Sequence, residues 1–288
     1  MRKLRNTLYV LSEDAYLSLD GENVLILKGE EKAGRYPLHT LEEIMCFSYK
    51  GASPALMGKC VNQDVSLSCF SPNGRFLSRC SGASQGNVLL RREQYRRADD
   101  EESSSRIARQ CIGGKLFNCR WVLERATRDH AMRIDVDRVK AASSQLYQAL
   151  KDIESCVDLD QLRGLEGKAA AIYFGVVNEL LLQNKEAFTF HGRSRRPPLD
   201  RTNALLSFVY TLLSGQCAAA LEGVGLDSYV GFLHRDRSGR RSLALDLMEE
   251  LRPAMADRFV FSLINTRQIA AKHFELREAG GVLLNDAG

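Results

Sequence analysis

Residues 229–253 read YVGFLHRDRSGRRSLALDLMEELRP. An apolar run breaks into an Arg/Gly-rich turn, and a helical repeat follows. At about 100° per residue, Leu243, Ala244, Leu247, Met248 and Leu251 gather on one side of that helix, and Asp246, Glu249 and Glu250 share a sector of roughly 100° opposite. Carboxylates one turn apart repel by about a few tenths of a kcal/mol. Two things can offset that cost. One is plain solvation of an acidic surface face; the other is a bound cation held by oxygen ligands with an imidazole beside them. His234 stands where a buried segment reaches the surface, a usual position for site residues.

A second carboxylate lies upstream in LRGLEGKAAAIYFGVV, residues 162–177. Glu166 is flanked by Gly164 and Gly167, small residues that let another backbone come close. It sits either near a helix start, favoured by the dipole, or turned inward toward a site. Tyr173, two turns further along the same face, either stacks on a base or fills the core.

Outward from these segments the chain divides in two near residue 85. Before it the pattern has period two: strands at 8–11, 16–19 and 24–27 with Asp20-Gly21 as a turn, and a second pair, 65–70 and 75–77, flanking Asn73-Gly74. Residues 79–87, RCSGASQGN, form a turn-rich linker. Beyond it helical periodicity predicts helices near 88–97, 104–129, 137–154, 158–183, 201–221, 242–257 and 258–276, with Asp200 capping the fifth. The fold class is therefore α+β: a small β-sandwich-like domain, residues 1–84, followed by a larger all-α domain, residues 85–288.

The bulk numbers restrict function. Forty Lys and Arg stand against 36 Asp and Glu, a net charge of only +4, so any nucleic-acid footprint is local. The eight cysteines show neither a CxxC pair nor zinc spacing and read as small buried hydrophobes of a reducing cytoplasm. No signal-peptide core opens the chain, and no run of about 18 apolar residues marks a membrane span, so a soluble cytoplasmic protein is expected. His39, His130, His191 and His273 are assigned no role; His273 is placed on the last helix.

Three arginine groups stand out: Arg91, Arg92, Arg96 and Arg97; Arg193, Arg195 and Arg196; and Arg235, Arg237, Arg240 and Arg241. The first reads as a solvated face. The other two adjoin the acid-bearing segments, where guanidinium suits phosphate contact that fixes a strand without reading its sequence.

The segments LRGLEGKAAAIYF, RSRRPPLDRTNALLSFVYTLL (193–213) and GFLHRDRSGRRSLALDLMEELRP (231–253), in that order, resemble the CRISPR-associated integrase family, the larger subunit of the spacer-acquisition complex, and the match leans toward type I-C. The resemblance implies that Glu166, His234 and Glu249 bind a divalent metal, Mg²⁺ or Mn²⁺, with Asp246 in support and Glu250 solvated. It matches Arg237 to a basic position near that metal. It further implies metal-dependent transesterification, in which the 3′-hydroxyl of a short foreign duplex attacks a CRISPR repeat boundary without a protein nucleophile. DNA contacts are then expected from Arg193, Arg195, Arg196, Arg237 and Tyr173. The implied partners are double-stranded DNA, a second copy joined through the β domain, and a small ferredoxin-like acquisition subunit. Family members usually continue with a helical tail beyond the point corresponding to Gly288. Two alternatives are a general metal-dependent nuclease and a non-catalytic DNA-binding scaffold.

Overall fold

The computed structural model describes residues 6–72, 74–80, 82, 88–156, 158–278 and 280–288. It divides into two compact units, Met1–Gln85 and Gly86–Gly288. The linker 79–87 and the Asn73 turn lie largely outside the described residues.

The first unit holds two sheets. Strands β2 (Ala15–Asp20), β3 (Asn23–Lys28) and β4 (Glu31–Pro37) form an antiparallel meander. Asp20 pairs Asn23 across the expected turn. Strands β1 (Asn6–Val10), β5 (Leu41–Cys46), β6 (Ser66–Phe70) and β7 (Phe76–Cys80) form the other sheet in the order β1-β5-β6-β7. Its first two pairings are parallel, so the chain must cross over, and helix α1 (Pro54–Asn62), capped by the Ser53 hydroxyl, makes the β5-to-β6 connection. Leu17, Val24, Leu38, Ile44, Leu56 and Leu67 are at the centre of one core.

The sequence reading missed β4, β5 and α1 for different reasons. β4 buries no residue and so shows no alternation, whereas β5 buries Ile44, Met45 and Cys46 in succession, as strands between two parallel neighbours do.

The second unit is built on α3 (Glu101–Asp129), against which α2 (Val88–Asp99), α4 (Val136–Asp152), α5 (Leu159–Gly175) and α9 (Ser242–Leu251) pack. Two single turns, α6 (Val177–Leu180) and α7 (Lys185–Phe188), lead to α8 (Arg201–Gly223), whose start is capped by Asp200 accepting from the Asn203 amide. α8 is long and apolar enough by composition to cross a membrane, yet 44% of that window is buried within the unit, where Leu205, Leu206 and Tyr210 join the core.

Helix α9 (Ser242–Leu251) runs into a π-helical segment, Arg252–Asp257, and on into α10 (Arg258–Asn265). Pro253, lacking an amide hydrogen, sits inside the widened turn. The helix expected over 258–276 stops at Asn265. There the Asn265 amide donates to the Leu180 carbonyl and accepts from the Leu182 amide, and Arg267 takes a left-handed φ of 58°. A two-stranded hairpin, β8 (Phe274–Leu276) with β9 (Val282–Leu284), follows, and His273 lies in the 3-10 turn before it. The helical unit is therefore not wholly α.

Candidate active site

The acids of α9 do not form a solvated face. Asp246 is fully buried, Glu249 is 4% exposed, and only Glu250 faces water. The notion of a surface helix fails because α9 is wedged between α3 and α8, with Cys217, Ala218, Leu243, Ala244 and Met248 packed together on its apolar side. Gly114 permits the close approach to α3: a Cβ there would fall 2.7 Å from Cγ of Glu250.

Asp246 organises the histidine loop. Its carboxylate accepts from the backbone amides of Phe232 (2.6 Å), Leu233 (2.9 Å) and His234 (3.1 Å). The His234 ring completes the set, with Nδ1 at 2.5 Å from Oδ1. With Nδ1–H donating to the acid, Nε2 is the nitrogen left for a ligand, as in carboxylate–histidine–metal arrangements. Gly231 makes the fit possible, because a Cβ would lie 2.8 Å from both Oδ2 of Asp246 and the Ser242 backbone.

Two further residues fasten the loop. The buried Gln94 side chain donates to the Asp227 and Val230 carbonyls and accepts from the Asp227 amide. Arg163, on α5, donates through Nε and Nη2 to the Leu233 carbonyl and through Nη1 to Asp160. Beside His234 opens a cleft of about 840 Å³, rimmed by Asp99, Glu101, Asp158, Asp160 and Asp236.

Glu166 sits two turns inside α5, whose start is capped instead by Asp158. An added Cβ at Gly164 or Gly167 meets nothing within 4 Å, so these glycines leave space and do not admit a neighbouring backbone. The Glu166 carboxylate accepts a hydrogen bond from Lys115 of α3, and the same ammonium donates to Oε2 of Glu249 at 2.7 Å. Arg252 grips the other oxygen of Glu249, at 2.7 Å.

Burial works against the Lys115 charge, but Glu249 and Glu166 outweigh it and hold the ammonium above its ordinary range. For Glu249, burial is likewise overcome, by Lys115 and Arg252 and, more weakly, by His234, and the carboxyl stays below its usual value. Two glutamates on separate helices thus converge on one cation position. The donors, two carboxylates and an imidazole, are those of a Mg²⁺ or Mn²⁺ site. Among the described residues no three of His, Cys, Asp and Glu stand close enough to hold an ion as placed. Lys115 fills the space between the two carboxylates.

The arginine loop divides. Arg195, Arg196 and Arg237 are exposed, and none forms an ion pair among the described residues. Arg193 is turned inward. It donates to the Ser194 carbonyl, Asn203 and Ser207 and lies over the Tyr210 ring, 5.2 Å from the centroid. Its place in the DNA-contact set is therefore corrected to a structural one. The same holds for Tyr173, which is 1% exposed and cannot stack on a base; it lies beside Asp257 in the core.

Sequence reasoning missed Lys115, Arg252, Gln94 and Arg163. Only Lys115 carried a legible signal, since it falls on the apolar stripe of α3 with Ile112, Leu116 and Cys119.

Residues 8–288 match the family model described as CRISPR associated protein Cas1. The chain belongs to the Cas1 family. It is 46% identical over 286 residues to CRISPR-associated endonuclease Cas1 1 of Chlorobaculum tepidum, covering 99% of this chain and 83% of that protein. To CRISPR-associated endonuclease Cas1 2 of Rhodospirillum rubrum it is 48% identical over 291 residues, with the same coverages. Among solved structures it resembles a CAS1 protein from Thermotoga maritima, with a TM-score of 0.79, 24% identity and coverage of 98% of this chain and 86% of the other. A casposase bound to integration product gives a TM-score of 0.78 at 24% identity, covering 97% and 78%. These likenesses establish the fold expected from the sequence, a β-rich start followed by a mainly helical Cas1 unit.

Proposed function

We propose that this Cas1 chain is the metal-dependent DNA endonuclease and integrase of CRISPR adaptation, joining the 3′-hydroxyl of short foreign DNA to a repeat boundary. One observation carries the reading: Glu166 and Glu249, from α5 and α9, share one buried cation position, next to an imidazole fixed by a buried aspartate. Glu166, Glu249 and Nε2 of His234 would hold the metal. Lewis-acid polarisation of the scissile phosphate, and activation of the attacking hydroxyl, is what Mg²⁺ or Mn²⁺ supplies there when bound. Asp246 keeps the imidazole in the tautomer whose Nε2 is a free electron-pair donor. Arg195, Arg196 and Arg237 supply exposed guanidinium groups that fix phosphates in place.

The Cas1 relatives are named endonucleases, and solved structures of this fold include a Cas6-RT-Cas1–Cas2 complex and a casposase bound to integration product. Double-stranded DNA and a small ferredoxin-like acquisition subunit are the partners proposed here, in the cytoplasm. A homodimer is supported by apolar side chains on the β unit, where Tyr9, Leu11 and Tyr49 are each more than half exposed.

The test is strand transfer. The purified chain and its acquisition subunit are incubated with a labelled 3′-OH duplex and a supercoiled plasmid carrying a CRISPR repeat, with Mn²⁺ or EDTA. Label joined to the plasmid at the repeat boundary, only with Mn²⁺, is the expected result. Nicking without joining would reduce the protein to a general nuclease, and binding without either would make it a scaffold.

A further inference from the structure

Lys115 is 6% exposed and sits on the apolar face of a core helix. A lysine there is tolerated only if its charge is matched, and both matching groups are the proposed metal ligands. Its ammonium bonds Glu166 and Oε2 of Glu249, and Arg252 takes Oε1 of Glu249. In this arrangement the two glutamates already share a cation.

We propose that Lys115 is an internal counter-cation that competes with the divalent ion for Glu166 and Glu249, so that loading the metal requires its side chain to withdraw. The proposal rests on the metal-site reading above. An ammonium and a divalent cation cannot occupy the same space between the same two carboxylates, and at a separation of a few Å in a buried site their repulsion is strong. Expulsion of one by the other is a coupling between two equilibria and works in both directions. Lysine suits such exchange, with a compact charge on a flexible four-carbon stem, whereas the broad guanidinium fork of arginine does not. The benefit lies in the metal-free protein. Without Lys115, the buried Glu249 and the partly buried Glu166 would face each other, balanced chiefly by Arg252, and the junction of α3, α5 and α9 would loosen. The cost is weaker metal binding.

Mn²⁺ binding to the full chain is measured by titration calorimetry, and melting temperature is followed with EDTA and with Mn²⁺. Lys115→Met should bind Mn²⁺ at least about tenfold more tightly than wild type, within the range usual for coupled sites. It should also melt lower in EDTA and gain more on adding Mn²⁺. Lys115→Arg, which keeps a charge between the glutamates, should bind no more tightly than wild type. If Lys115→Met does not fold, Lys115→Gln carries the same expectation, since it keeps hydrogen bonding and loses only the charge. Equal or weaker Mn²⁺ binding by the neutral variants, while Glu249→Gln abolishes binding, would overturn the competition and leave the metal site standing. Unchanged Mn²⁺ binding in Glu166→Gln and Glu249→Gln would overturn both.

Discussion

At the scale of single residues, Asp246 and Asp257 are both fully buried acids, and their surroundings set opposite expectations. Asp246 is satisfied by three backbone amides and an imidazole. Asp246→Ala strips these donors of their acceptor and should lower the stability of the helical unit by on the order of 3 kcal/mol, with loss of nuclease activity. Chemical denaturation followed by fluorescence of Trp121, the single tryptophan, reads that unit alone. Asp257 is pushed up to about 6 by burial, against the Tyr210 and Tyr173 hydroxyls and the Arg252 and Lys115 charges that pull it down. Its folded value lies above the unfolded one of about 4, so the native state binds the extra proton between those limits. Its contribution to stability is therefore largest below about pH 4 and falls as pH rises through about 6, by up to roughly 3 kcal/mol. Asp257→Asn lacks this titration. The difference in unfolding free energy, variant minus wild type, should rise by that amount between pH 4 and 7; a pH-independent difference would mean that Asp257 is not held in its acid form.

At the scale of elements, the loop 227–234 is positioned by side chains distant in sequence. Gln94→Ala leaves the Asp227 and Val230 carbonyls and the Asp227 amide without their partner, a cost of about 1–3 kcal/mol. Strand-transfer rate should fall with it, because His234 hangs from the same loop; an unchanged rate would show that Asp246 and Arg163 fix the histidine without Gln94. The arginine loop yields a contrast between neighbours. Arg195→Ala, Arg196→Ala and Arg237→Ala should each make the slope of log K against log salt shallower by about one for any DNA sequence. Arg193→Ala should mainly lower thermal stability, since its two Nη groups donate to Ser194, Asn203 and Ser207. Here the legibility of sequence has a physical limit. Periodicity locates α3, α5 and α9, each with an apolar stripe, α8 shows by its apolar length and its Asp200 cap, and the repeat places Asp246 and Glu249 on one side of α9. It does not say whether that side meets water or another charge. Lys115 decides the matter from a helix 134 residues away. Tyr173 and Arg193 were misassigned for the same reason: an aromatic or a guanidinium is amphipathic, and only packing tells which part faces the solvent. The end of α10 at Asn265 was invisible because a side-chain amide bonded to residues 180 and 182 marks it, without glycine or proline.

For the whole molecule, the mixed sheet of the first unit leaves β1 and β7 as edges, and Tyr9, Leu11 and Tyr49 lie exposed. Edges and apolar patches of this kind favour pairing, and a closed two-fold assembly gives two active sites for the two ends of one duplex. Light scattering at micromolar concentration should give about twice the 32.2 kDa chain mass without DNA or partner, and a clean monomer would contradict the dimer. In the function proposed above, catalysis belongs to a metal that Glu166, Glu249 and Nε2 of His234 would hold. Turnover of His234→Ala with Mn²⁺ present, alongside its circular dichroism and melting temperature, decides whether that metal is there. The expected result is a folded protein with strand transfer abolished, since the ring would supply a ligand to the metal and its loss leaves Asp246 its three backbone amides. Wild-type turnover by a folded His234→Ala would contradict it.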